Sequence, residues 1–232
     1  MTDSTSLEQV WDAMYGEADR VWSGEPNGAL VAEAEGLPPG AALDVGCGEG
    51  ADAVWLALQG WEVTALDVSG VALARAEAAA VEAGVTVRWL HAGLLDAALP
   101  TAGFDLVVAL YPVLLRSPDH EAERALLNAV GPLGTLVFVH HDVFGTPAAG
   151  NAIPPSQDGH AAGPHHGHGP EHDNDGRFSP ADMVSVEDMR SFLAAQAEEW
   201  QIETHEQRPR RLSGGAGAHH SEDVVLRARR LA

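Results

Sequence analysis

The chain has 232 residues, which is enough for one α/β domain with a full hydrophobic core. Its 34 acidic and 13 basic residues give a formal net charge of −21, so its surface repels the phosphates of nucleic acids and anionic lipids. No apolar run is long enough to predict a membrane span. The acidic start lacks a signal-peptide pattern and the single Cys47 cannot build a disulfide framework, so we expect a cytoplasmic protein without nucleic-acid or membrane partners. Its oligomeric state stays open.

Strand-like and helical patterns alternate along the chain. Residues 7–22 have apolar side chains at helical spacing, and residues 26–40 predict a turn, a short helix and a Pro-Gly stop. Seven strands are predicted at 41–45, 61–66, 85–90, 104–110, 135–139, 200–205 and 223–228. Helical segments separate the first five strands, which predicts parallel strands with right-handed crossovers. The last two are joined without a helical pattern, so we expect an antiparallel pair.

Polar residues and a glycine mark the ends of several predicted helices. Ser69 is placed to cap the helix after the second strand, and Gly84 is placed to end it. Ser117 is a candidate N-cap for the helical segment that precedes the fifth strand. Ser185 and Asp188 form a capping-box pattern that predicts the start of a later helix.

Residues 145–180 are rich in Gly, Pro, His and Asp and carry few large apolar side chains. Such a segment cannot bury enough surface to order itself, so we expect a loop inserted after the fifth strand. Its histidines, at 160, 165, 166, 168 and 172, are of a type that binds Zn, Ni or Cu, yet their spacing defines no tetrahedral set. We therefore assign no metal ligand. A metal-sensing or metal-buffering protein stays as an alternative function.

Residues 41–50, AALDVGCGEG, contain the first predicted strand and the glycine-rich turn that follows it. Gly46, Gly48 and Ala51 satisfy G-x-G-x-x-A, so a dinucleotide site and an oxidoreductase remain formally allowed. Asp44, just before the glycines, would face a pyrophosphate unfavourably. The same carboxylate suits a ligand with an ammonium and a sulfonium group. The pattern thus favours S-adenosylmethionine over a dinucleotide.

The segments LDVGCGEG, VTALDVS and FDLVVAL resemble class I S-adenosylmethionine-dependent methyltransferases, over about residues 8–142 and again in the C-terminal strand pair. WDAMY and VWSGEPNGALV resemble the lead-in of the thiopurine-type and tellurite-resistance-type branch. The resemblance implies one α/β domain over residues 1–232, with a Rossmann-like, seven-stranded, mostly parallel sheet, a C-terminal antiparallel hairpin and helices on both faces. It also implies a helical lid over residues 1–40. The implied activity is methyl transfer to a sulfur, selenium or tellurium, oxygen or nitrogen atom of a small molecule, with S-adenosylhomocysteine as product.

The resemblance also implies roles for individual residues. The expected cofactor-binding residues are Trp22, Asp44, Gly46, Cys47, Gly48, Asp67, Val68, Leu94 and Leu110. Within that set, Asp67 would accept from both ribose hydroxyls and Val68 would flank the adenine ring. Gly93 departs from the family, which usually has an acid there that accepts from the adenine amino group. Backbone groups of Gly93 or Leu94 could still contact adenine, and Asp96 follows three residues later.

The methyl acceptor is expected at the carboxyl ends of the strands, where open α/β sheets bind ligands. The candidate acceptor-binding residues are Tyr111, Arg116, His140 and Arg210, with the arginines suited to an anionic acceptor. Alternation along the fifth strand points one histidine of the pair 140–141 into the pocket, and a Gly-His-Asp pattern common in the family favours His141 as general base. A thiolate needs no base, whereas a phenol or an amine does. A purely structural His141 stays open.

Overall fold

The computed structural model describes residues 4–141, 180–210 and 221–232. The helices are α1 (Ser4–Gly16), α2 (Gly28–Ala34), α3 (Ala51–Leu58), α4 (Gly70–Ala83), α5 (Glu121–Ala129) and α6 (Val186–Ala194), with a 3-10 turn at Pro180–Asp182. The strands are β1 (Ala41–Val45), β2 (Glu62–Asp67), β3 (Arg88–His91), β4 (Phe104–Leu110), β5 (Val130–His141), β6 (Trp200–Pro209) and β7 (Glu222–Arg230).

The seven strands form one sheet in the order β3-β2-β1-β4-β5-β7-β6. The first five are parallel, and β7 runs antiparallel to both β5 and β6. This arrangement confirms the predicted mostly parallel sheet with a C-terminal antiparallel hairpin. The strand order reverses direction between β1 and β4, so a crevice forms at their carboxyl ends.

Helices cover both faces of the sheet, as predicted. On one face, α5 and α6 pack against the strands through a cluster that contains Phe138, Leu126 and Met189. On the other face, α2 and α3 pack through Leu30 and Leu56. Because both faces are covered, the central strands are nearly continuous apolar runs, which is why they stand out in the sequence. Among the described residues, no helix is both long and apolar enough to cross a membrane.

The predicted ends of α4 and α6 are confirmed, whereas α5 has His120 and not Ser117 at its N-cap position, with the Ser117 hydroxyl accepting from the Glu121 N–H. The Ser69 side chain accepts a hydrogen bond from the Ala72 N–H, and Gly84 ends α4 in the left-handed conformation. Ser185 and Asp188 form a complete capping box. These local signals rely on neighbours in the chain, so the sequence alone is sufficient to find them.

Several boundaries differ from the prediction, and β6 also continues to Pro209, four residues beyond the predicted end. The N-terminal helix ends at Gly16 instead of residue 22, because a carboxylate from the glycine-rich turn takes the N–H groups of Val21 and Trp22. Strand β3 begins three residues late, at Arg88. Strand β5 begins at Val130, before an irregularity in its pairing with β4. The predicted loop at 145–180 lies outside the described residues except for its last residue.

Candidate functional site

A cavity of about 560 Å³ lies at the carboxyl ends of β1, β2 and β4. Most of the predicted site residues line it: Trp22, Gly46, Cys47, Gly48, Asp67, Val68, Leu94, Leu110, Tyr111, His141 and Arg210. Asp44, His140 and Arg116 were predicted but do not line it. The position is the one at which open α/β sheets bind ligands, beside the reversal of strand order.

The glycine turn brings the N-terminal segment directly onto the cavity. Gly48 has a positive φ of +52°, and a Cβ there would lie 2.8 Å from the Tyr15 hydroxyl. That hydroxyl accepts a hydrogen bond of 2.9 Å from the Trp22 indole N–H. A side chain at position 48 would therefore push Tyr15 and Trp22 away from the turn.

The Asp44 carboxyl group is 2 % exposed and lies within β1, just before this turn. No described group hydrogen-bonds to its Oδ2 atom. Burial, and then the nearby charges of Asp52 and Asp67, raise the pKa of Asp44 well above its ordinary value. A buried carboxylate oxygen without a partner is costly, and a cationic ligand group would satisfy it.

Asp67 ends β2 and already has backbone partners for both oxygens. Its Oδ2 accepts from the Gly48 N–H at 2.8 Å, and its Oδ1 accepts from the Ser69 N–H at 2.8 Å. Burial raises the pKa of Asp67, and these hydrogen bonds oppose the rise. Each carboxylate oxygen has a second lone pair, so the two backbone bonds orient the group and leave it able to accept more.

Cys47 lies in the same turn and lines the cavity. Burial, and then the charges of Asp44 and Asp67, raise the pKa of its thiol well above the ordinary value. A reactive cysteine needs a lowered pKa, so this environment disfavours Cys47 as a nucleophile.

Glu49 and Arg75 fasten the N-terminal segment to the glycine turn, and the sequence analysis missed these contacts. The Glu49 carboxylate accepts from the N–H groups of Val21 and Trp22 and forms an ion pair of 2.7 Å with Arg75. Arg75 in turn donates to the Tyr15 carbonyl at 2.6 Å. Glu49 lies within the glycine motif and is visible in the sequence, but its partner Arg75 lies 26 residues away on α4.

Tyr111 lies at the end of the cavity where the methyl acceptor is expected, which we call the acceptor end. It occupies a strained backbone conformation just after β4, with a φ of +53°. Its hydroxyl accepts from the Asn27 side-chain N–H at 2.8 Å and donates to Asp223 at 2.8 Å. The His141 ring stacks on the Tyr111 ring at 4.1 Å between centroids, and the Arg210 guanidinium lies 4.6 Å from the Tyr111 ring centroid. Burial raises the pKa of Tyr111, so its phenol stays protonated.

Asp223 joins this group although the sequence analysis did not select it. It is the cross-strand partner of His141 between β7 and β5, and its Oδ1 lies 3.6 Å from His141 Nδ1. Arg210 Nε lies 3.9 Å from the same oxygen, and Arg210 Nη1 lies 3.1 Å from His141 Nδ1. Tyr111, His141 and Arg210 are therefore brought together around one carboxylate.

The structure does not bring Arg116 to this group. Its side chain is 43 % exposed, and its Nε donates to Asp188 Oδ2 at 2.9 Å. His140 is nearer, with its ring centroid 6.4 Å from that of Tyr111, but it is not among the residues that line the cavity. Both remain predictions as acceptor-binding residues.

Within residues 4–141, 180–210 and 221–232, no group of three metal-ligating side chains converges. The histidines at 160–172 and at 219–220 lie outside those ranges. The metal-binding alternative therefore has no support from the described part of the chain.

Comparisons with known proteins agree with this geometry. Residues 42–133 match the family model of the methyltransferase domain. A methyltransferase of Mycobacterium tuberculosis strain H37Rv, named as uncharacterized, is 40% identical over 111 residues, which are 48% of this chain and 54% of that protein. The chain thus spans about half the length of the curated relatives that it matches.

Two solved structures share nearly the whole fold. One comes from work on the conversion of a disulfide bond into a thioacetal group during echinomycin biosynthesis; it has a TM-score of 0.67 and 25% identity and covers 97% of this chain and 93% of its own. The other is the N-methyltransferase NodS of Bradyrhizobium japonicum WM9 in complex with S-adenosylhomocysteine, with a TM-score of 0.63, 18% identity and coverage of 96% and 97%.

The matched segment contains the glycine turn, Asp44 and Asp67. This part of the chain is therefore similar to the methyltransferase domain that the family model describes.

Proposed function

We propose that the chain transfers the methyl group of S-adenosylmethionine to a small-molecule acceptor. The observation that carries the proposal is the buried Asp44 carboxylate, whose Oδ2 has no described partner, beside a cavity lined by the glycine turn and Asp67. An ammonium and a sulfonium group complement that negative charge, whereas a pyrophosphate does not. This charge pattern disfavours the dinucleotide oxidoreductase.

Different residues along the cavity bind different parts of the cofactor. Asp44 and the glycine turn hold the methionine part, Asp67 holds the ribose, and Val68 and Leu94 contact the adenine. Leu110 and Tyr111 lie beneath the reacting groups, and Trp22 closes the lid. The cofactor supplies an activated methyl group, so the protein contributes chiefly alignment and exclusion of water.

His141 is the group that we propose as proton acceptor. His141 and Tyr111 both line the cavity, but the Tyr111 hydroxyl already accepts from Asn27 and donates to Asp223. Bound S-adenosylmethionine would supply the methyl group that replaces the acceptor's proton, and His141 would take up that proton. Arg210, beside His141, would stabilise an acceptor that binds as an anion.

A sulfur or heavier chalcogen acceptor fits best with two observations. The wall of the cavity beyond Tyr111 is apolar, with Pro112, Val113 and Leu114 among its residues. The structure linked to echinomycin biosynthesis concerns chemistry at a disulfide. The resemblance of the lead-in to the thiopurine-type and tellurite-resistance-type branch is consistent with this class of acceptor.

A screen for S-adenosylhomocysteine release tests the function. The purified chain is incubated with S-adenosylmethionine and a panel of thiols, selenite, tellurite, phenols and heterocycles. We expect acceptor-dependent release with at least one thiol or chalcogen compound. Failure of the whole panel, together with absence of cofactor binding in calorimetry, would contradict the proposal.

We further propose that Asp96 takes the place of the acid missing at Gly93. A Cβ on Gly93 would lie 3.3 Å from Asp96 Oδ2 and 3.5 Å from Val68, so the Asp96 carboxylate lies beside the space where a side chain at 93 would be. Asp96→Ala is expected to weaken S-adenosylhomocysteine binding by about 1.5–3 kcal/mol, since a hydrogen bond to a charged acceptor is lost. Calorimetry measures the change.

The paired variant sharpens this test. Gly93 does not need a left-handed conformation, so adding Gly93→Asp to the Asp96→Ala chain should recover most of the affinity. The exposed Asp119→Ala serves as control and should bind normally. An Asp96→Ala chain with unchanged affinity would assign adenine recognition to the backbone of Gly93 or Leu94.

A further inference from the structure

The Asp223 carboxylate lies at the acceptor end and is 4 % exposed. Asp223 pairs across the sheet with His141 of β5, and its Oδ1 lies 3.6 Å from His141 Nδ1. The same oxygen accepts a hydrogen bond of 2.8 Å from the Tyr111 hydroxyl. A buried carboxylate thus faces the group that we propose as proton acceptor, and the proposed function gives this carboxylate no role.

The position of the Tyr111 hydroxyl proton follows from its other neighbour, Asn27. Asn27 is the N-cap of α2, and its Oδ1 accepts from the Ala29 N–H at 2.8 Å. Its side-chain nitrogen therefore faces the Tyr111 oxygen, at 2.8 Å, and an amide nitrogen can only donate. The Tyr111 proton must then point to Asp223. This hydrogen bond holds the carboxylate in one orientation beside the imidazole ring.

We propose that Asp223 is a positioning residue for His141. It holds the neutral imidazole with its proton on Nδ1, so that Nε2 takes the acceptor's proton, and it stabilises the imidazolium that results. The proton balance closes within His141, because Nδ1 keeps its own proton and Nε2 gives the second one to solvent after the product has left. The inference rests on the proposed function and extends it to a residue that the sequence analysis did not select.

The distance of 3.6 Å between Nδ1 and Oδ1 is longer than a hydrogen bond, and catalytic contacts often tighten once substrate is bound. Arg210 is closer to the ring, with its Nη1 3.1 Å from His141 Nδ1 and 3.3 Å from Nε2. An atom in line with the lone pair of one ring nitrogen cannot lie so close to the other. The guanidinium therefore contacts the ring between its two nitrogens and does not select a tautomer.

Titratable and charged groups face His141 from each neighbouring strand. Tyr111, after β4, stacks on the ring, and burial raises the pKa of its phenol, which stays neutral. The His140 ring, on β5 itself, has its centroid 6.2 Å away. Arg210 follows β6, and its positive charge disfavours an imidazolium. Asp223, from β7, supplies the negative charge that opposes this effect.

The tautomer can be measured in the unmodified chain without any methyl acceptor. Nitrogen-15 shifts of the histidine rings report which nitrogen carries the proton when the ring is neutral. The His141 signal is identified by its loss from the spectrum of His141→Ala. We expect the proton on Nδ1, and a neutral ring with its proton on Nε2 would overturn the inference.

Asp223→Asn keeps the size of the side chain and removes its charge. The imidazolium then loses a neighbouring anion, so the midpoint of the His141 titration should move to lower pH. Turnover needs the neutral ring, so the acid limb of the kcat profile should move in the same direction. The amide can also donate to Nδ1, which favours the wrong tautomer, and the plateau of kcat should fall by about tenfold or more.

Glu222→Gln is the matched control. Glu222 is the neighbouring acid on β7, it is exposed, and alternation along the strand points its side chain to the opposite face from Asp223. This variant should change neither the His141 titration nor the kcat profile. Asp223→Glu keeps the charge and should return the titration midpoint toward that of the unmodified chain.

The outcomes separate this inference from the proposed function. A lower plateau in Asp223→Asn with an unmoved acid limb and an unmoved His141 titration would mean that Asp223 only supports the fold, and the inference would fail. Absence of methyl transfer by the unmodified chain would contradict the proposed function. The tautomer and the titration midpoint do not depend on turnover, so they test Asp223 in either case.

Discussion

Turnover of the His141→Ala variant is expected to fall by about 10²–10⁴-fold on an acceptor that must lose a proton, which is the usual contribution of a general base. On an acceptor that arrives ionised, such as an acidic thiol, the same variant should lose far less. The reason is that a base contributes only when a proton moves, while alignment and the sulfonium act in both reactions. The ratio of the two losses is therefore the measured quantity.

The contacts of His141 determine how this experiment is interpreted. His141 stacks on Tyr111 and lies close to Asp223 and Arg210, so removing its ring could also disturb packing at the acceptor end. Such a disturbance would lower the turnover of both acceptors by the same factor, and that result would assign His141 a positioning role. His205, exposed on β6, is the control histidine, and His205→Ala should keep full activity.

Cofactor affinity provides a second check on His141. Asp44, Asp67 and the glycine turn lie at the ends of β1 and β2, away from β5. The dissociation constant for S-adenosylhomocysteine should therefore change little in His141→Ala. A large change would mean that the ring supports the cofactor site as well, and no change in either rate would leave His141 as a polar residue that ends a strand.

The sheet could be predicted because its signals are local. Buried parallel strands are continuous apolar runs. The ends of α4 and α6 can be located from a few residues, because Ser69, Gly84 and Ser185 are typical capping residues. The same holds for the glycine turn, where Asp44 and Asp67 flank one short segment. At the end of α1 a distant group intervenes, because Glu49 accepts from the N–H groups of Val21 and Trp22, which the helical spacing had included in that helix.

The acceptor end was only partly predictable because its geometry depends on register. Asp223 meets His141 only because β7 pairs with β5 in one particular antiparallel register. Nothing in the local sequence around Asp223 indicates that register. Asn27 and Asp52 were missed for a similar reason: they meet through a backbone N–H, which leaves no signal in side-chain patterns.

Asp67→Ala is expected to weaken S-adenosylmethionine binding by about 1.5–3 kcal/mol, because hydrogen bonds from the ribose to a charged acceptor are lost. The structure adds a complication, since the same carboxylate accepts from the N–H groups of Gly48 and Ser69. Part of the loss would then come from a less ordered glycine turn. Affinity alone cannot separate the two contributions, so the measurement needs a second ligand.

A double-mutant cycle with an altered ligand makes that separation. Wild-type and Asp67→Ala chains are each titrated with S-adenosylhomocysteine and with its 2′,3′-dideoxy analogue. If Asp67 binds the ribose hydroxyls, the substitution costs much for the natural ligand and little for the analogue, which has no hydroxyl to lose. Equal costs for both ligands would show that Asp67 acts through the turn. The melting temperature of the ligand-free variant completes the cycle, because loss of the Gly48 and Ser69 bonds should lower it whichever ligand is used.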